Sequence, residues 1–353
     1  MYQQIKDYIK EQIISGDLRE GDLVSSEKEL MEKFHVSQIT TKNALNGLAE
    51  EGIVKRIRGK GTFVTESGLL KESNRLSISG QSRSNGVIGL ILPSMKTKIE
   101  QEFVNYIEIY ASKYKYNLVV KITRESQFEE SNAIEMLQEL GAKGIIIFPT
   151  EKEVYNESIL RLSLDKFPIV LIDRYLENIR TYSVSSENEN GTFEAISYLI
   201  RNGHHNIGLI SPPITNTVTV ERSNGFERAC LNNGLVVNKH LWFLMNFHKI
   251  SIEQAPLLIK KFLLNNPEIT ALFIMNAELT RYTYMAVEKI KKEYARDIEI
   301  ISFDHSGIEG IAYIQQNIEE CSKQTIDLLL EQLEGNYEPR RVFVPVKFIN
   351  DSL

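Results

Sequence analysis

The chain has 353 residues, of which 42% are hydrophobic and 25% are charged, with a formal net charge of −6. This length suggests two or three domains with ordinary globular cores, and the acidic balance excludes a positively charged coat without excluding a local basic face. Because no apolar run is long enough to span a bilayer and the start MYQQIKDYIKEQ is charged, we expect a cytoplasmic protein without a secretory signal.

The sequence pattern of residues 1–66 predicts a small domain with a helix-turn-helix. Apolar residues every third or fourth position give the first helix one buried face. Ser26 and Glu29 have the spacing of a capping box that opens a second helix. Ser37 can cap a third helix running to about Glu51. Two short helices joined by a tight turn, the second with polar side chains at its start, are typical of DNA-binding units.

The hairpin after the third helix is predicted to be a wing. Strands at 53–57 and 62–64 flank a basic, glycine-rich turn. Glycines permit a close approach to the DNA backbone, and lysine and arginine attract phosphates. The alternative is a solvated charged hairpin on a small helical bundle. The residues predicted to contact DNA are Ser26, Glu27, Ser37, Gln38, Thr40, Lys42, Asn43, Arg58, Gly59, Lys60 and Gly61.

These first 65 residues or so resemble the gluconate-repressor (GntR) family of winged-helix regulators. The resemblance rests on Ser26-Glu27, on the helix Val-Ser-Gln-Ile-Thr-Thr-Lys-Asn-Ala-Leu at 36–45 and on the wing Arg-Gly-Lys-Gly-Thr-Phe-Val at 58–64. Gln38 and Lys42 stand where the family usually has arginines. Lysine loses the bidentate fork, whereas glutamine can pair with adenine in a fork. We therefore hypothesise an operator that differs from the common family site.

A different pattern begins after a short connector. Residues 67–86 are rich in serine, glycine and asparagine and predict a flexible linker. From 87 to 353, apolar strands alternate with amphipathic helices, which predicts parallel sheets covered on both faces. About eight such units exceed one doubly wound sheet, so we expect two lobes with a cleft between them. We assign to lobe 1 residues 87–184 and 309–335, and to lobe 2 residues 185–308 and 336–353.

Polar side chains follow several of these strands, at the edge where open parallel sheets bind ligands. They are Ser94, Asp173, Arg174, Asn276 and Asp304. Carboxylates, an amide and a guanidinium are the groups that hydrogen-bond sugar hydroxyls. Alternatively, each residue only caps a turn, although several convergent ones favour a binding site.

Residues 87–353 resemble the effector domain of the lactose/galactose-repressor (LacI/GalR) family, which is itself similar to periplasmic sugar-binding proteins. The matching stretches are 87–93, 168–174, 203–207, 222–226, 301–304 and 344–346. The resemblance implies a periplasmic-binding-protein-like type I α/β domain of two doubly wound lobes. It adds Arg222 to the effector-binding set and places Asp173, Asn276 and Asp304 at positions that hold effector polar groups. Trp242 and Phe247 are candidates for stacking on the ligand, and are otherwise core residues.

The sequence contains no pattern typical of a metal site, a nucleotide-binding site or a serine hydrolase. Cys230 and Cys321 stand alone, as in a reducing compartment, and lack metal spacing. The adjacent His204 and His205 face different ways without carboxylates spaced to join them, so no metal is expected. No nucleotide-binding or serine-hydrolase motif occurs. We expect no cofactor and no catalytic residue.

The leading interpretation is a homodimeric DNA-binding transcriptional regulator, a repressor of carbohydrate-utilisation genes that a small sugar-like effector releases from its operator. An arabinose-type regulator has the same fusion of domain families, so a pentose such as arabinose is the first expectation. The alternatives are a sugar-binding receptor without a DNA role, a regulator of a non-sugar metabolite, or an enzyme on a doubly wound scaffold. The fused winged helix argues against a receptor, and no activated nucleophile or acid–base pair supports an enzyme.

Overall fold

A computed structural model describes residues 2–14, 17–57, 59–65, 84–150, 156–245 and 252–350. The chain divides into two compact units, Met1–Ser84 and Asn85–Leu353. Arg58 and residues 67–83 of the expected linker lie outside the described residues. Among the helices that are described, none has the length and apolar character needed to cross a membrane.

The first unit confirms the predicted helices and hairpin. Its elements are α1 Tyr2–Ile14, α2 Glu27–Phe34, α3 Gln38–Glu50, β1 Val54–Ile57 and β2 Gly61–Val64, with the two strands antiparallel. The capping box is formed, because Ser26 Oγ accepts from the Glu29 amide at 3.3 Å and Glu29 Oε2 accepts from the Ser26 amide at 2.7 Å. Ser37 caps α3 through the Thr40 amide at 3.4 Å. Between the helices, His35 takes φ 51° and makes the sharp turn.

One apolar core joins the three helices and the hairpin of this unit. Its buried residues include Ile5, Ile9, Leu30, Leu45 and Leu48, each at most 1% exposed. Burying that side of α3 leaves its other side, and the start of the helix, facing solvent.

The second unit alternates strands and helices along the chain. Its first half comprises β3 Gly86–Leu92, α4 Lys98–Lys113, β4 Tyr116–Ile122, α5 Gln127–Glu139, β5 Gly144–Ile147, α6 Glu157–Leu164, β6 Ile169–Ile172 and β7 Ser183–Ser186. Its second half comprises α7 Asn188–Arg201, β8 Ile207–Ser211, α8 Thr217–Asn232, β9 Trp242–Leu244, α9 Ala255–Asn265, β10 Ala271–Ile274, α10 Ala277–Tyr294, β11 Glu299–Phe303, β12 Ala312–Gln315, α11 Ile318–Leu333, β13 Arg341–Val344 and β14 Lys347–Ile349.

These elements form two lobes whose sheets have corresponding strand orders and differ in the direction of the last strand. Within the described ranges, lobe 1 has the strand order β4-β3-β5-β6-β7-β13 and lobe 2 has the order β9-β8-β10-β11-β12-β14. Every strand pair is parallel except β12 with β14. The predicted pair of doubly wound parallel sheets is confirmed, and β6 of lobe 1 corresponds to β11 of lobe 2.

The chain changes lobes at points that differ from those expected. Strand β12, at 312–315, lies in the sheet of lobe 2 although 309–335 was assigned to lobe 1. Strand β13, at 341–344, lies in the sheet of lobe 1 although 336–353 was assigned to lobe 2. The assignment of 185–308 to lobe 2 is also wrong at its start, because β7 pairs with β6 and β13. The crossing back to lobe 1 comes later than expected because β12 pairs with β11 in the lobe 2 sheet. The next element, α11, is the one that buries its apolar face in the lobe 1 core.

Candidate functional site

The start of α3 presents an exposed polar surface. Gln38, Lys42 and Asn43 are exposed, whereas Thr41 and Ala44 are buried. Recognition helices read base edges with their N-terminal residues. This surface is therefore the candidate DNA-reading face of the first unit.

Glu27 lies between two donors of that surface. It forms an ion pair with Arg56 of β1, and Arg56 also donates to Asn46 Oδ1 at 2.6 Å. Gln38 Nε2 donates to the other Glu27 oxygen at 3.4 Å. Glu27 thus links the first residue of α3 to the hairpin. Ser26 and Ser37 are occupied as helix caps, and Ser37 Oγ also lies 3.0 Å from Thr40 Oγ1.

The wing has the backbone that its sequence predicts. Gly59 has φ 77° and Gly61 has φ 122°, both in the region that favours glycine. The Lys60 amide donates to the Ile57 carbonyl at 3.0 Å and closes the turn. Lys42 of α3 and Lys55 and Lys60 of the hairpin are exposed, so the described part of this unit offers cations to DNA phosphates.

A cavity of about 660 Å³ lies between the two lobes of the second unit. Its volume falls within the range of small-molecule sites, about 300–1,000 Å³. Polar side chains dominate its wall, and its described lining residues are Glu130, Pro149, Thr150, Asn156, Ile159, Arg174, Tyr175, Leu176, Glu177, Glu187, Asn188, Glu189, Asn190, Thr215, Asn216, Thr217, Val220, Glu221, Asn224, Arg228 and Phe343.

Arg222 is the buried cation beside this cavity. Its side chain is 5% exposed and lies over the Phe303 ring, with the guanidinium carbon 3.4 Å from the ring centroid. Its Nε donates to Asn188 Oδ1 at 2.9 Å, and its Nη1 donates to the Met275 carbonyl. Burial lowers the pKa of Arg222, and three carboxylates that act on its charge oppose this: Asp304, Asp173 and Glu221.

Asp173 and Asp304 occupy equivalent positions in the two lobes. Each follows its strand directly in a left-handed conformation, with φ 63° and 70°. Each amide donates at 2.9 Å to the next strand, to Val184 O and Ile314 O respectively. Burial raises the pKa of both carboxyls, that of Asp304 to about 6, while Arg222 acts in the opposite direction.

The structure brings together four of the six predicted effector residues. Arg174 lines the cavity, and its Nη1 donates to the Pro149 carbonyl at 2.9 Å. Asp173, Arg222 and Asp304 form the charged cluster next to the cavity wall. The other two, Ser94 and Asn276, are used locally, as the alternative of simple capping predicted. Ser94 Oγ bonds to Glu100, and Asn276 Oδ1 accepts from the Leu279 amide at 2.8 Å as the N-cap of α10.

Other cavity residues were not predicted from the sequence. Tyr175 of lobe 1 donates its hydroxyl to Glu221 of lobe 2 at 2.5 Å, and its amide donates to Thr217 Oγ1 at 3.3 Å. Asn188 Nδ2 donates to Glu221 at 2.9 Å. Two of these residues adjoin predicted ones, since Tyr175 follows Asp173-Arg174 and Glu221 precedes Arg222. Their positions next to predicted residues could have marked Tyr175 and Glu221 as candidates.

Of the two aromatic candidates, the structure describes Trp242 alone. Trp242 packs edge-on against Phe226 with ring centroids 5.6 Å apart, in the lobe 2 core. Phe247 lies outside the described residues. Tyr175 and Phe343 are the aromatic residues among the described lining.

The adjacent histidines show a structural contact. His204 Nε2 lies 2.8 Å from Glu299 and its Nδ1 lies 2.9 Å from Thr270, so the ring ties two strand starts of lobe 2 together. In the part of the chain with described coordinates, no group of three or more histidine, cysteine or acidic residues is arranged to hold a metal.

Two family models match the chain. Residues 1–64 match "Bacterial regulatory proteins, gntR family". Residues 85–351 match "Periplasmic binding proteins and sugar binding domain of LacI family". The boundary between the two matches falls in the stretch predicted to be a linker.

Individual proteins are similar over one or both domains. An arabinose metabolism transcriptional repressor of Geobacillus stearothermophilus is 27% identical over 346 residues, covering 94% of this chain and 91% of that protein. The HTH-type transcriptional repressor PurR of Aliivibrio fischeri is 28% identical over 269 residues, covering 72% and 77%. The crystal structure of transcription regulator CcpA of Lactococcus lactis superposes with a TM-score of 0.66 at 19% identity, covering 75% and 97%, which shows the fold.

Proposed function

We propose that this chain, which belongs to the family of periplasmic binding proteins and LacI-type sugar-binding domains and carries a gntR-type regulatory domain, is a transcriptional repressor controlled by a small sugar. The observation that carries the proposal is the cavity between two lobes of one chain, lined by amides, hydroxyls, carboxylates and arginines. Such groups pair with the donor and acceptor of each sugar hydroxyl. The target genes would be those of carbohydrate use.

The DNA partner is a double-stranded operator read by α3 and the wing. Gln38, Lys42 and Asn43 supply polar groups to base edges, and Lys55 and Lys60 supply charge to phosphates. A homodimer follows if the operator is two-fold symmetric, because each subunit then reads one half-site.

A pentose such as arabinose is the first effector to test. The arabinose repressor of Geobacillus stearothermophilus aligns along 94% of this chain, and therefore along both domains. The HTH-type transcriptional repressor PurR of Aliivibrio fischeri aligns along 72%, about the share that the effector domain occupies. The two-domain alignment supports the sugar regulator over a regulator of another metabolite.

The proposal is tested in two steps on the full chain. Selection from a random double-stranded DNA pool first yields an operator. A thermal-shift screen of mono- and disaccharides, including L-arabinose, then finds the effector, because a ligand at 100 times its Kd adds about 2.7 kcal/mol of stability. The effector should also weaken operator binding, since it acts only through different affinities for the two conformations.

Matched variants on α8 locate the binding. Glu221→Gln changes a cavity residue and should weaken sugar binding at least fivefold, because it removes a charged acceptor from the wall. Glu227→Gln, on the same helix, breaks only the ion pair with Lys239 at 2.8 Å and should leave binding unchanged. If no DNA sequence is enriched, the repressor assignment is wrong. If no sugar stabilises the protein, the sugar assignment is wrong.

A further inference from the structure

The cavity between the lobes carries an excess of negative charge. Its described lining contains two arginines, Arg174 and Arg228, and five glutamates: Glu130, Glu177, Glu187, Glu189 and Glu221. The formal charge of this lining is therefore −3. The adjoining cluster adds two carboxylates, Asp173 and Asp304, to one cation, Arg222, and so increases the excess.

The arginines beside the cavity already have partners. Arg174 donates to the Pro149 carbonyl at 2.9 Å and lies 3.7 Å from Glu125. Arg228 donates to Glu189 at 2.6 Å and to Asn190 at 2.7 Å.

Arg222 is equally occupied, since it donates to Asn188 and to the Met275 carbonyl. Each guanidinium has five N–H groups and keeps some of them for a ligand, but its charge is already shared with these protein acceptors, so a phosphate or carboxylate gains less from it. Recognition of such anions relies on arginine forks that are free to face them.

Neutral hydrogen-bonding groups complete the wall. Asparagine side chains lie on both lobes: Asn156, Asn188, Asn190, Asn216 and Asn224. Each amide offers donors and an acceptor, which suits hydroxyl groups, whereas a phosphate only accepts. Threonine hydroxyls at 150, 215 and 217 add to this set.

Resting on the proposed function, we propose that the effector is a non-anionic polyol: an unphosphorylated sugar without a carboxylate, with an amino group tolerated. A charge enclosed between the lobes is screened by salt less than a surface charge. The glutamates therefore repel an anionic sugar even where its hydroxyls fit.

The test compares each parent sugar with derivatives that carry a charged group in place of one hydroxyl or hydroxymethyl group. Binding is measured by calorimetric titration for D-glucose, D-glucosamine, D-glucuronate and D-glucose 6-phosphate, for D-ribose and D-ribose 5-phosphate, and for L-arabinose and L-arabinose 5-phosphate. For each parent that binds, we expect the phosphate and the uronate to bind at least tenfold more weakly. Glucosamine should bind within threefold of glucose or more tightly.

Charge-neutralising variants separate electrostatics from shape. Glu221→Gln should reduce the discrimination between a sugar and its phosphate at least threefold, whereas Glu227→Gln, on the outer part of α8, should not. A phosphate or uronate that binds as tightly as its parent overturns the inference and leaves a sugar-controlled repressor intact. If no sugar of this panel or of the thermal-shift screen binds, the ligand class and the sugar control are both wrong, whereas operator selection tests the repressor separately.

A separate observation concerns the DNA-reading face. Ile39 is 72% exposed, at the second residue of α3. Its neighbours Gln38, Lys42 and Asn43 are exposed polar residues, so Ile39 is an apolar side chain amid the candidate base-reading groups. In the major groove the apolar feature of a base edge is the thymine methyl group. We infer that Ile39 contacts the methyl group of one thymine in each half-site and so determines specificity there.

Deoxyuridine tests this contact, because it lacks only that methyl group. Each thymine of the selected operator is replaced in turn, and affinity is measured for the wild-type protein, Ile39→Ala and Ile39→Val. At one thymine per half-site, replacement should weaken wild-type binding three- to tenfold, Ile39→Val binding by a similar factor, and Ile39→Ala binding less than twofold. Equal losses in wild type and Ile39→Ala at every thymine would refute the assignment.

Discussion

Replacing Arg222 with methionine tests whether one buried cation stabilises the charged cluster. Arg222 is 5% exposed, and Asp304, Asp173 and Glu221 all act on its charge. Methionine keeps much of the length and removes the charge. The direct partners of Arg222 are Asn188 and the Met275 carbonyl, whereas the three carboxylates act on it at longer range than an ion pair. A hydrogen bond from a charged group contributes about 1.5–3 kcal/mol, so losing both costs about 3–6 kcal/mol. We expect a loss in this range at pH 8.

The cost should depend on pH in a defined direction. Burial already raises the pKa of Asp304 to about 6, above its ordinary 3.8, and Arg222 opposes that rise. A carboxyl whose pKa is raised on folding destabilises the folded state as pH rises from the unfolded pKa through the folded one. Without Arg222 the pKa of Asp304 rises further, so the pH range over which this carboxyl destabilises the folded state extends to higher pH. At pH 5 the carboxyls take up protons and their attraction to Arg222 is lost, so we expect a smaller loss than at pH 8, due mainly to the two hydrogen bonds.

Urea unfolding followed by tryptophan fluorescence measures this effect. Trp242 is the single tryptophan of the chain and packs against Phe226 of α8, so its emission reports on the unit that contains Arg222. The matched control is Arg228→Met on the same helix. Arg228 is 39% exposed and paired with Glu189, so its loss should cost at most about 1 kcal/mol at either pH. The reasoning fails if Arg222→Met costs less than its control, or costs as much at pH 5 as at pH 8.

Three further substitutions test a buried carboxyl, a helix–helix contact and a base-reading residue. Asp304→Asn should stabilise the ligand-free protein by about 2 kcal/mol at pH 8, by about half as much near pH 5 and hardly at all near pH 3, because it removes a carboxylate whose pKa is raised to about 6; equal urea midpoints at pH 8 would contradict this. Gly225→Ala should destabilise by about 1–3 kcal/mol, since its Cβ would lie 2.3 Å from the Glu189 carbonyl oxygen and force α7 and α8 apart; an unchanged midpoint would show that the helices shift freely. Gln38→Ala should relax operator choice at one base pair by about 1–3 kcal/mol if glutamine reads adenine there; an unchanged selected sequence would refute that role.

Much of the fold was predictable from the sequence because buried parallel strands are continuous apolar runs. Strand β7 was missed for the opposite reason: its residues Ser183, Ser185 and Ser186 are buried but polar. They are satisfied inside the protein, for example by Ser185 Oγ donating to the Asp173 carbonyl at 2.8 Å. A hydrophobicity pattern carries no sign of such a strand. Nor does it tell which sheet an edge strand such as β13 joins, since pairing is decided in three dimensions.

The candidate site likewise contains residues that the sequence could predict and residues that it could not. Asp173 and Asp304 were predictable because both directly follow strands, and strand ends share one edge of a sheet. The contact between Tyr175 and Glu221 was not, since these residues are 46 positions apart and on different lobes. Ser94 and Asn276 follow strands equally well, but local helix caps use their side chains. Position after a strand selects candidates, and only the surrounding partners decide which of them face a ligand.

The contacts across the cavity bear on how a sugar would act as a switch. Tyr175 of lobe 1 donates to Glu221 and Thr217 of lobe 2, so groups on the cavity wall already join the two lobes. A sugar that binds one lobe alone leaves the lobe equilibrium unchanged, because it has no differential affinity. Moving a population from 1:99 to 99:1 takes about 5.5 kcal/mol of differential binding. At about 1.5–3 kcal/mol for each hydrogen bond to a charged group, that requires at least two such bonds beyond those the lobes make to each other. Arg174 and Glu221 face the cavity from opposite lobes, and a polyol that bridges them meets this requirement through hydroxyls alone.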